Sequence, residues 1–295
     1  MLKSIIKNTL PDWLILIHEY RKKNGVFPNV IAPKTFNEKV LHRIIFDRRP
    51  ILAQLTDKAA VRSYVESRLG RQVLPKLYYI TTRPETIPFD QLPDRFVVKP
   101  THGCNWVQMI MDKSTLDRAA LIETCKGWLN QSFYKINREW IYKNIERRII
   151  VEEFVDDGSE GAPNDYKLYV FDGTVRLIHV DKGRFRDHLR HFFTPDWKRV
   201  DVRHVHTRVP SADMPKPPHL EEMIAAAETL GVGLDFVRAD FYDTTEKLYF
   251  GELTTTPGCG RNLFNPQKFE RYLGSLWRLP DTQPIPQLLK VARAR

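Results

Sequence analysis

Residues 237–258 read VRADFYDTTEKLYFGELTTTPG. Apolar and aromatic side chains alternate with polar ones through both halves, with a short TTEK turn between them, so the stretch predicts two antiparallel strands in hairpin order. By period two, Arg238 and Asp240 share one face of the first strand, and Glu252 and Thr254 share one face of the second. Hairpin pairing can bring those faces together. Two carboxylates placed this way suit Mg2+, which takes oxygen ligands and is usually bound through one or two carboxylates plus substrate phosphates. Arg238 would then lie beside a transferring phosphoryl group and stabilise its developing charge. The plain alternative is a surface cross-strand ion pair, worth little in stability.

Upstream, RRIIVEEFV (147–155), DYKLYVFDG (165–173) and TVRLIHVDKG (174–183) have the apolar character and length of strands and read as adjacent antiparallel neighbours. In the first, Glu152 and Glu153 point to opposite sides, so one carboxylate can enter a cleft and accept from an adenine amino group or a ribose hydroxyl while the other is solvated. HLEEMIAAAETLGVG (219–233) predicts a helix ending at a glycine, whereas 184–218 reads as irregular and basic. Arg184, Arg186 and Arg190 there form either a solvated loop or a pocket for an acidic acceptor, since Arg binds carboxylate or phosphate bidentately.

Nearer the start, VLPKLYYI (73–80), RFVVKP (95–100) and VQMIMD (107–112) predict strands, the last two joined by a hairpin loop containing His102 and Gly103. Lys99 at a strand end can place its ammonium on a polyphosphate, and Gly103 lets the loop backbone close over the same phosphates; a surface lysine is the bland alternative. No GxxxxGK[ST] loop occurs in the chain. Leu116 to Ile145 reads as helical, with Trp128, Phe133 and Trp140 as packing anchors. Residues 1–70 read as mainly helical through FNEKVLHRIIFDRR and DKAAVRSYVESRLG, with Gly70 as the stop. Helices, mixed strands, helix, strands, helix and strands in that order predict α+β lobes rather than a doubly wound sheet.

Composition narrows the partners. Forty-six Lys and Arg against 36 Asp and Glu give a formal charge of +10 over 295 residues, which favours anionic partners. No zinc-finger, RRM or helix-turn-helix pattern organises the basic residues, which argues against dedicated nucleic-acid binding. Three cysteines without CxxC spacing argue against a disulfide framework or structural zinc and fit a reducing cytoplasm. Cys104 and Cys259 could be nucleophiles, but no pattern in the sequence sets a supporting histidine with either as a dyad. The apolar run Trp13–Ile17 is too short to span a bilayer; it belongs to an amphipathic helix docked on the core or, alternatively, weakly touching the inner membrane surface.

Taken in order, DK at 57–58, VVKP with its glycine loop, the EEF strand, DYK at 165–167, RADFYD and GELTTTPG resemble ATP-grasp enzymes over about residues 56–262. FNEK, THG and GELT resemble most the TupA-like branch, linked to teichuronopeptide and other surface-polysaccharide biosynthesis. The resemblance implies an α+β ATP-grasp fold, two lobes clamping ATP: a helical segment at 1–70, a central lobe at 71–155 with the glycine loop, and a C-terminal lobe at 156–295 with a metal site. It implies Lys58, Lys99 and the 101–106 loop, with His102 and Gly103, around the phosphates. Glu152, Glu153, Phe154 and Val155 match the adenine hinge. Asp165 and Lys167 match a D-x-R/K pair near ribose and phosphates, with Lys in place of the commoner Arg.

By the same resemblance Arg238 and Lys99 are the catalytic cations, and Asp240, Glu252 and Thr254 bind magnesium, Thr254 standing where the family often has Asn. The implied activity is a carboxylate–amine ligase that converts ATP to ADP and phosphate on an acidic small molecule or glycan precursor. Two alternatives stay open: a kinase acting on a sugar or lipid hydroxyl, and a non-catalytic subunit of a glycan assembly.

Overall fold

The computed structural model describes residues 10–158, 163–183, 188–204 and 214–280. Four helices come first: α1 (Asp12–Asn24), α2 (Phe36–Phe46), α3 (Pro50–Thr56) and α4 (Ala60–Leu69). Strands β1 (Leu77–Thr81), β2 (Phe96–Pro100) and β3 (Gln108–Ile110) follow, then α5 (Arg118–Asn130), α6 (Phe133–Asn137) and β4 (Ile149–Glu153). The remainder is β5 (Asp165–Phe171), β6 (Thr174–Lys182), β7 (Leu189–Phe193), β8 (Arg203–His204), α7 (Leu220–Gly231), β9 (Phe236–Asp243), β10 (Leu248–Thr254), β11 (Phe264–Asn265) and α8 (Gln267–Leu276). Among the described residues these strands form three antiparallel sheets, with orders β1-β4-β2-β3, β10-β9-β5-β6-β7 and β11-β8.

Local chemistry sets the helix ends. Thr35 accepts from the Glu38 N–H while the Glu38 carboxylate accepts from the Thr35 N–H at 3.0 Å, a capping box of the kind that contributes about 1 kcal/mol. The whole FNEK run is structural: Phe36 enters the core, Asn37 donates to the buried Glu270 of α8, Glu38 caps, and the Lys39 ammonium reaches the Trp277 carbonyl. Gly274 permits this contact, because a Cβ there would stand 2.2 Å from the Lys34 carbonyl oxygen. Gly25 and Gly70 close α1 and α4 at positive φ.

In the four-stranded sheet, Phe96, Val98, Ile149 and Val151 pack against Leu121, Cys125 and Trp128 of α5. The five-stranded sheet is covered on both faces. Leu168, Val170, Ile178, Val237 and Phe241 meet α4 and α7 on one side; Tyr169, Phe171, Leu177 and Phe236 meet α1, α2 and α8 on the other. Followed by period two, this second face turns from apolar to charged: Phe171, Tyr169, Lys167, Asp165 on β5; Leu177, His179, Asp181 on β6; Phe236, Arg238, Asp240 on β9. The charged cluster is therefore the continuation of a core face beyond the aromatic packing.

Three sequence expectations are corrected. The 147–155 strand is not a neighbour of the 165–173 strand: β4 lies between β1 and β2, where a run buried on both faces belongs, and the chain then crosses to the second sheet. The single helix over 116–145 is broken, because Gln131 and Ser132 are extended, Ser132 caps α6, and Arg138 is left-handed at φ 63°. Nor is 184–218 irregular throughout, since Arg190 sits in β7, paired opposite Asp181 of β6. Its Arg184 and Arg186 lie outside the described residues.

Candidate active site

The β9–β10 hairpin sets Glu252 opposite Asp240 and Thr254 opposite Arg238, with a register shift between Phe250 and Glu252. Arg238 donates from Nε to Asp240 Oδ1 at 2.7 Å and from one terminal nitrogen to Asp240 Oδ2 (2.5 Å), Glu252 Oε1 (3.0 Å) and Thr254 Oγ1 (3.0 Å). Lys167, opposite Asp240 on β5, donates to Asp165 and, at 3.0 Å, to Asp240 Oδ2; Asp181 stands 3.8 Å away. Burial pushes the Asp240 carboxyl above the ordinary carboxylate range even though Arg238 and Lys167 pull it down. Glu252 goes the other way: burial opposes its charge, but Lys58, Arg238 and Lys167 outweigh it and hold the acid well below its usual range. One carboxylate is thus wedged between cations at 1% exposure, while the other, with 37% of its side chain accessible, stays charged and opens to the cleft.

On β2 the alternation turns Phe96, Val98 and Pro100 into the core and leaves Val97 and Lys99 on the cleft side. Lys99 pairs with Glu152 of the neighbouring strand, and Arg62 of α4 lies 3.7 Å from the same carboxylate. Glu153 is not simply solvated: it accepts from the Lys76 N–H (2.9 Å) and from the Tyr249 hydroxyl of β10 (3.1 Å), tying the two sheets. Lys58 donates to the Gly103 carbonyl at 2.6 Å. A side chain at Gly103 would bring its Cβ to 2.5 Å from the Trp106 ring, so glycine there is a matter of close approach. The His102 side chain does not line the cleft; it is buried beneath the loop, its Nε2 3.0 Å from the Trp128 carbonyl oxygen, and burial lowers its pKa.

Two connected spaces adjoin these groups. A slot of about 180 Å3 is bounded by Val97, Met109, Phe154, Val155 and Tyr242, with Lys58, Lys99, Asp165, Asp240 and Glu252 also on its walls. It shares Lys58, Lys99, Asn105, Glu152 and Glu252 with a chamber of about 650 Å3. An apolar slot leading to two lysines fits a nucleoside polyphosphate. For magnesium the candidate donors are the Asp240 carboxylate on the slot, the Thr254 hydroxyl on the chamber and the Glu252 carboxylate on both, all oxygen. Among the described residues no group of three or more His, Cys, Asp or Glu forms a metal cage. The donors present therefore fit a metal that takes its remaining ligands from substrate phosphates and water.

Several participants carry little or no signal in the sequence. Asp181 accepts from Arg190 Nε (2.8 Å) and lies at hydrogen-bond distance from His179 (3.0 Å) and His188 (2.7 Å), so Arg190 is held inside the ionic network. The one signal for it is the alternation His179, Asp181 in a strand ending beside the cleft. Arg62, and the chamber residues Lys22, Lys23 and Arg261, have no such signal, because they converge from distant elements. Cys259 is buried, its thiol pushed up by that burial, and Cys104 is shifted in the same direction.

Comparison with known proteins gives a family but no near relative. No curated protein matches this sequence. Among solved structures, a D-alanine–D-alanine ligase from Bacillus anthracis complexed with ATP shares 16% identity at a TM-score of 0.42, covering 70% of this chain and 56% of its own. An L-amino acid ligase from Bacillus licheniformis shares 13% at 0.46, covering 84% and 55%. The ATP-grasp ligase PsnB complexed with a minimal precursor shares 14% at 0.40, covering 72% and 56%. This chain thus spans little more than half the length of each. The family model for TupA-like ATP-grasp proteins matches residues 38–278, from inside α2 to just beyond α8, and the chain belongs to that family.

Proposed function

We propose that this chain is a ligase that uses Mg-ATP to activate a carboxylate as an acyl phosphate and joins it to an amine, in the biosynthesis of a surface polysaccharide or teichuronopeptide-type polymer. The supporting observation is the Arg238, Asp240, Glu252 and Thr254 cluster at the charged end of a sheet face, beside a slot carrying Lys58 and Lys99 that opens into a larger chamber. In this reading adenine lies against Phe154 and Val155, the two lysines and the 101–106 loop hold the polyphosphate, and Asp165 and Lys167 stand near the ribose and phosphates. Asp240, Glu252 and Thr254 are the protein donors to magnesium, which when bound supplies charge neutralisation and orientation of the phosphates.

A substrate carboxylate oxygen attacks the γ-phosphorus and ADP leaves, with Arg238 and Lys99 stabilising the charge on the phosphoryl group in transit. The amine then attacks the acyl carbon and loses a proton, and phosphate departs. The protein's contribution is positioning and electrostatics. Volume favours the ligase over the kinase, since the chamber beside the slot has room for a donor and an acceptor together. The division into a helical segment, a central lobe and a C-terminal lobe, and a cytoplasmic location, belong to the same proposal. No helix of the described residues is long and apolar enough to cross a membrane.

The test is magnesium-dependent turnover of ATP with a panel of uronic acids, amino acids and glycan precursors, products read by mass spectrometry. An amide with ADP and phosphate is expected. A stable phosphate ester with ADP supports the kinase, and failure to bind ATP at all supports the non-catalytic subunit. Asp240→Asn and Glu252→Gln should each lower turnover by at least about a hundredfold with the fold retained; normal rates in both would remove the metal assignment.

A further inference from the structure

The larger chamber has a wall that the nucleotide does not need. Lys22 and Lys23 reach it from α1, and Arg261 and Asn262 from the turn that follows β10. α1 lies before residue 38, where the family match begins, so half of this wall comes from sequence outside the shared domain. The hydrogen bonds holding its cations go to neutral side-chain amides: Lys23 donates to Asn262, and Arg261 to Asn137 at 3.3 Å. Amides position a cation without neutralising it. Glu19 faces the chamber from the same helix, while Glu139 is sunk in the floor at 6% exposure with Thr256 donating to it at 2.6 Å. Among the described residues this wall thus carries three cations, Lys22, Lys23 and Arg261, with the Glu19 carboxylate on the same helix as the lysines. The Lys23 ammonium is disfavoured first by burial, then by Arg261 and Arg190, a mutual repulsion that a bound anion would relieve.

We infer that Lys22, Lys23, Arg261 and Asn262 form an anion-binding subsite that takes a carboxylate or phosphate group of the ligase's substrate, distinct from the group that reacts. This rests on the proposal that the adjoining slot holds Mg-ATP. The subsite restricts the substrate to molecules that carry an anionic group besides the reacting one, such as an acidic amino acid or a phosphorylated uronic acid; the single-anion probes below report on the subsite's own chemistry. Selection arises because a neutral congener would leave the clustered cations uncompensated.

Calorimetric titration of the full chain, saturated with Mg-AMPPNP, against D-glucuronate, L-glutamate, glucose 1-phosphate and neutral D-glucose tests it. At least one anion should bind where glucose does not, and the preference between carboxylates and the phosphate identifies the source of the charge. Lys22→Gln/Lys23→Gln and Arg261→Gln should each weaken that anion by about tenfold or more, with AMPPNP affinity kept within about twofold. Anions binding no better than glucose, or unaffected by both variants, while AMPPNP still binds, would overturn the subsite. Failure of the unaltered protein to bind AMPPNP would instead overturn the nucleotide assignment.

Discussion

Replacing Lys167 with methionine keeps the length of the stem but removes the ammonium at the centre of the ionic network. Lys167 is 5% exposed and donates to Asp165 and Asp240, with Asp181 3.8 Å away. In Lys167→Met those carboxylates stay buried; Asp240 keeps Arg238 and Asp181 keeps Arg190, whereas Asp165 loses its lysine. Removing one member of a buried charge pair costs about 3–5 kcal/mol, because a charge that remains buried loses its counter-ion. Set against a total stability of about 5–15 kcal/mol for an ordinary domain, that is a large fraction. With a urea m-value of about 2–3 kcal/mol/M the midpoint should fall by about 1–2.5 M. The double variant Lys167→Met/Asp165→Asn removes one of the carboxylates that the lysine had compensated, so it should recover about 1–3 kcal/mol relative to additivity. Urea unfolding followed by tryptophan emission and by far-ultraviolet circular dichroism, with coincident transitions, measures both. A loss under about 1 kcal/mol for the single variant, or strict additivity in the double, would refute the picture of one coupled network.

The other expected outcomes concern the loop, the cations and acid. Gly103→Ala forces a Cβ to within 2.5 Å of the Trp106 ring, so the ring and the loop must shift; AMPPNP titration should show weakening by about tenfold, and unchanged affinity would remove the loop from the phosphate site. Lys99→Ala should weaken ATP binding and slow turnover together, whereas Arg238→Ala should act mainly on kcat; an isolated rise in KM for ATP in Arg238→Ala contradicts its role. Burial lowers the His179 pKa to about 4, and His204 is displaced in the same direction. The unfolded chain therefore binds protons that the native one refuses. Stability should be full above about pH 6.5 and fall as pH drops towards 4, by about 3 kcal/mol for His179 alone at 1.4 kcal/mol per unit; a flat urea midpoint over that range would contradict the burial of these rings as neutral groups.

Much of this molecule is written locally. The period-two alternation in VRADFYD and LYFGELT is enough to put Arg238, Asp240, Glu252 and Thr254 on one surface, because strand geometry leaves a side chain only two directions. The hairpin around Gly103 and the stop at Gly70 are legible for the same reason: turn and cap preferences are properties of a few adjacent residues. Sheet membership is not. IIVEE and DYKLYVF look alike as apolar strands, yet one pairs with β1 and β2 and the other with β6 and β9, a choice made by which helices cover each face.

The same division runs through the site. The resemblance to the ATP-grasp pattern marks Lys58, Lys99, Asp240 and Glu252 as a set, and the structure places all four side chains around two adjoining spaces. Only the tertiary structure decides that His102 turns away under its loop, that Arg190 is held by Asp181, and that Lys22 and Lys23 from the first helix meet Arg261 from near the other end of the chain. Those outcomes depend on contacts between elements far apart in the chain, whose closure is governed by how whole faces pack, and no short window of sequence contains that information.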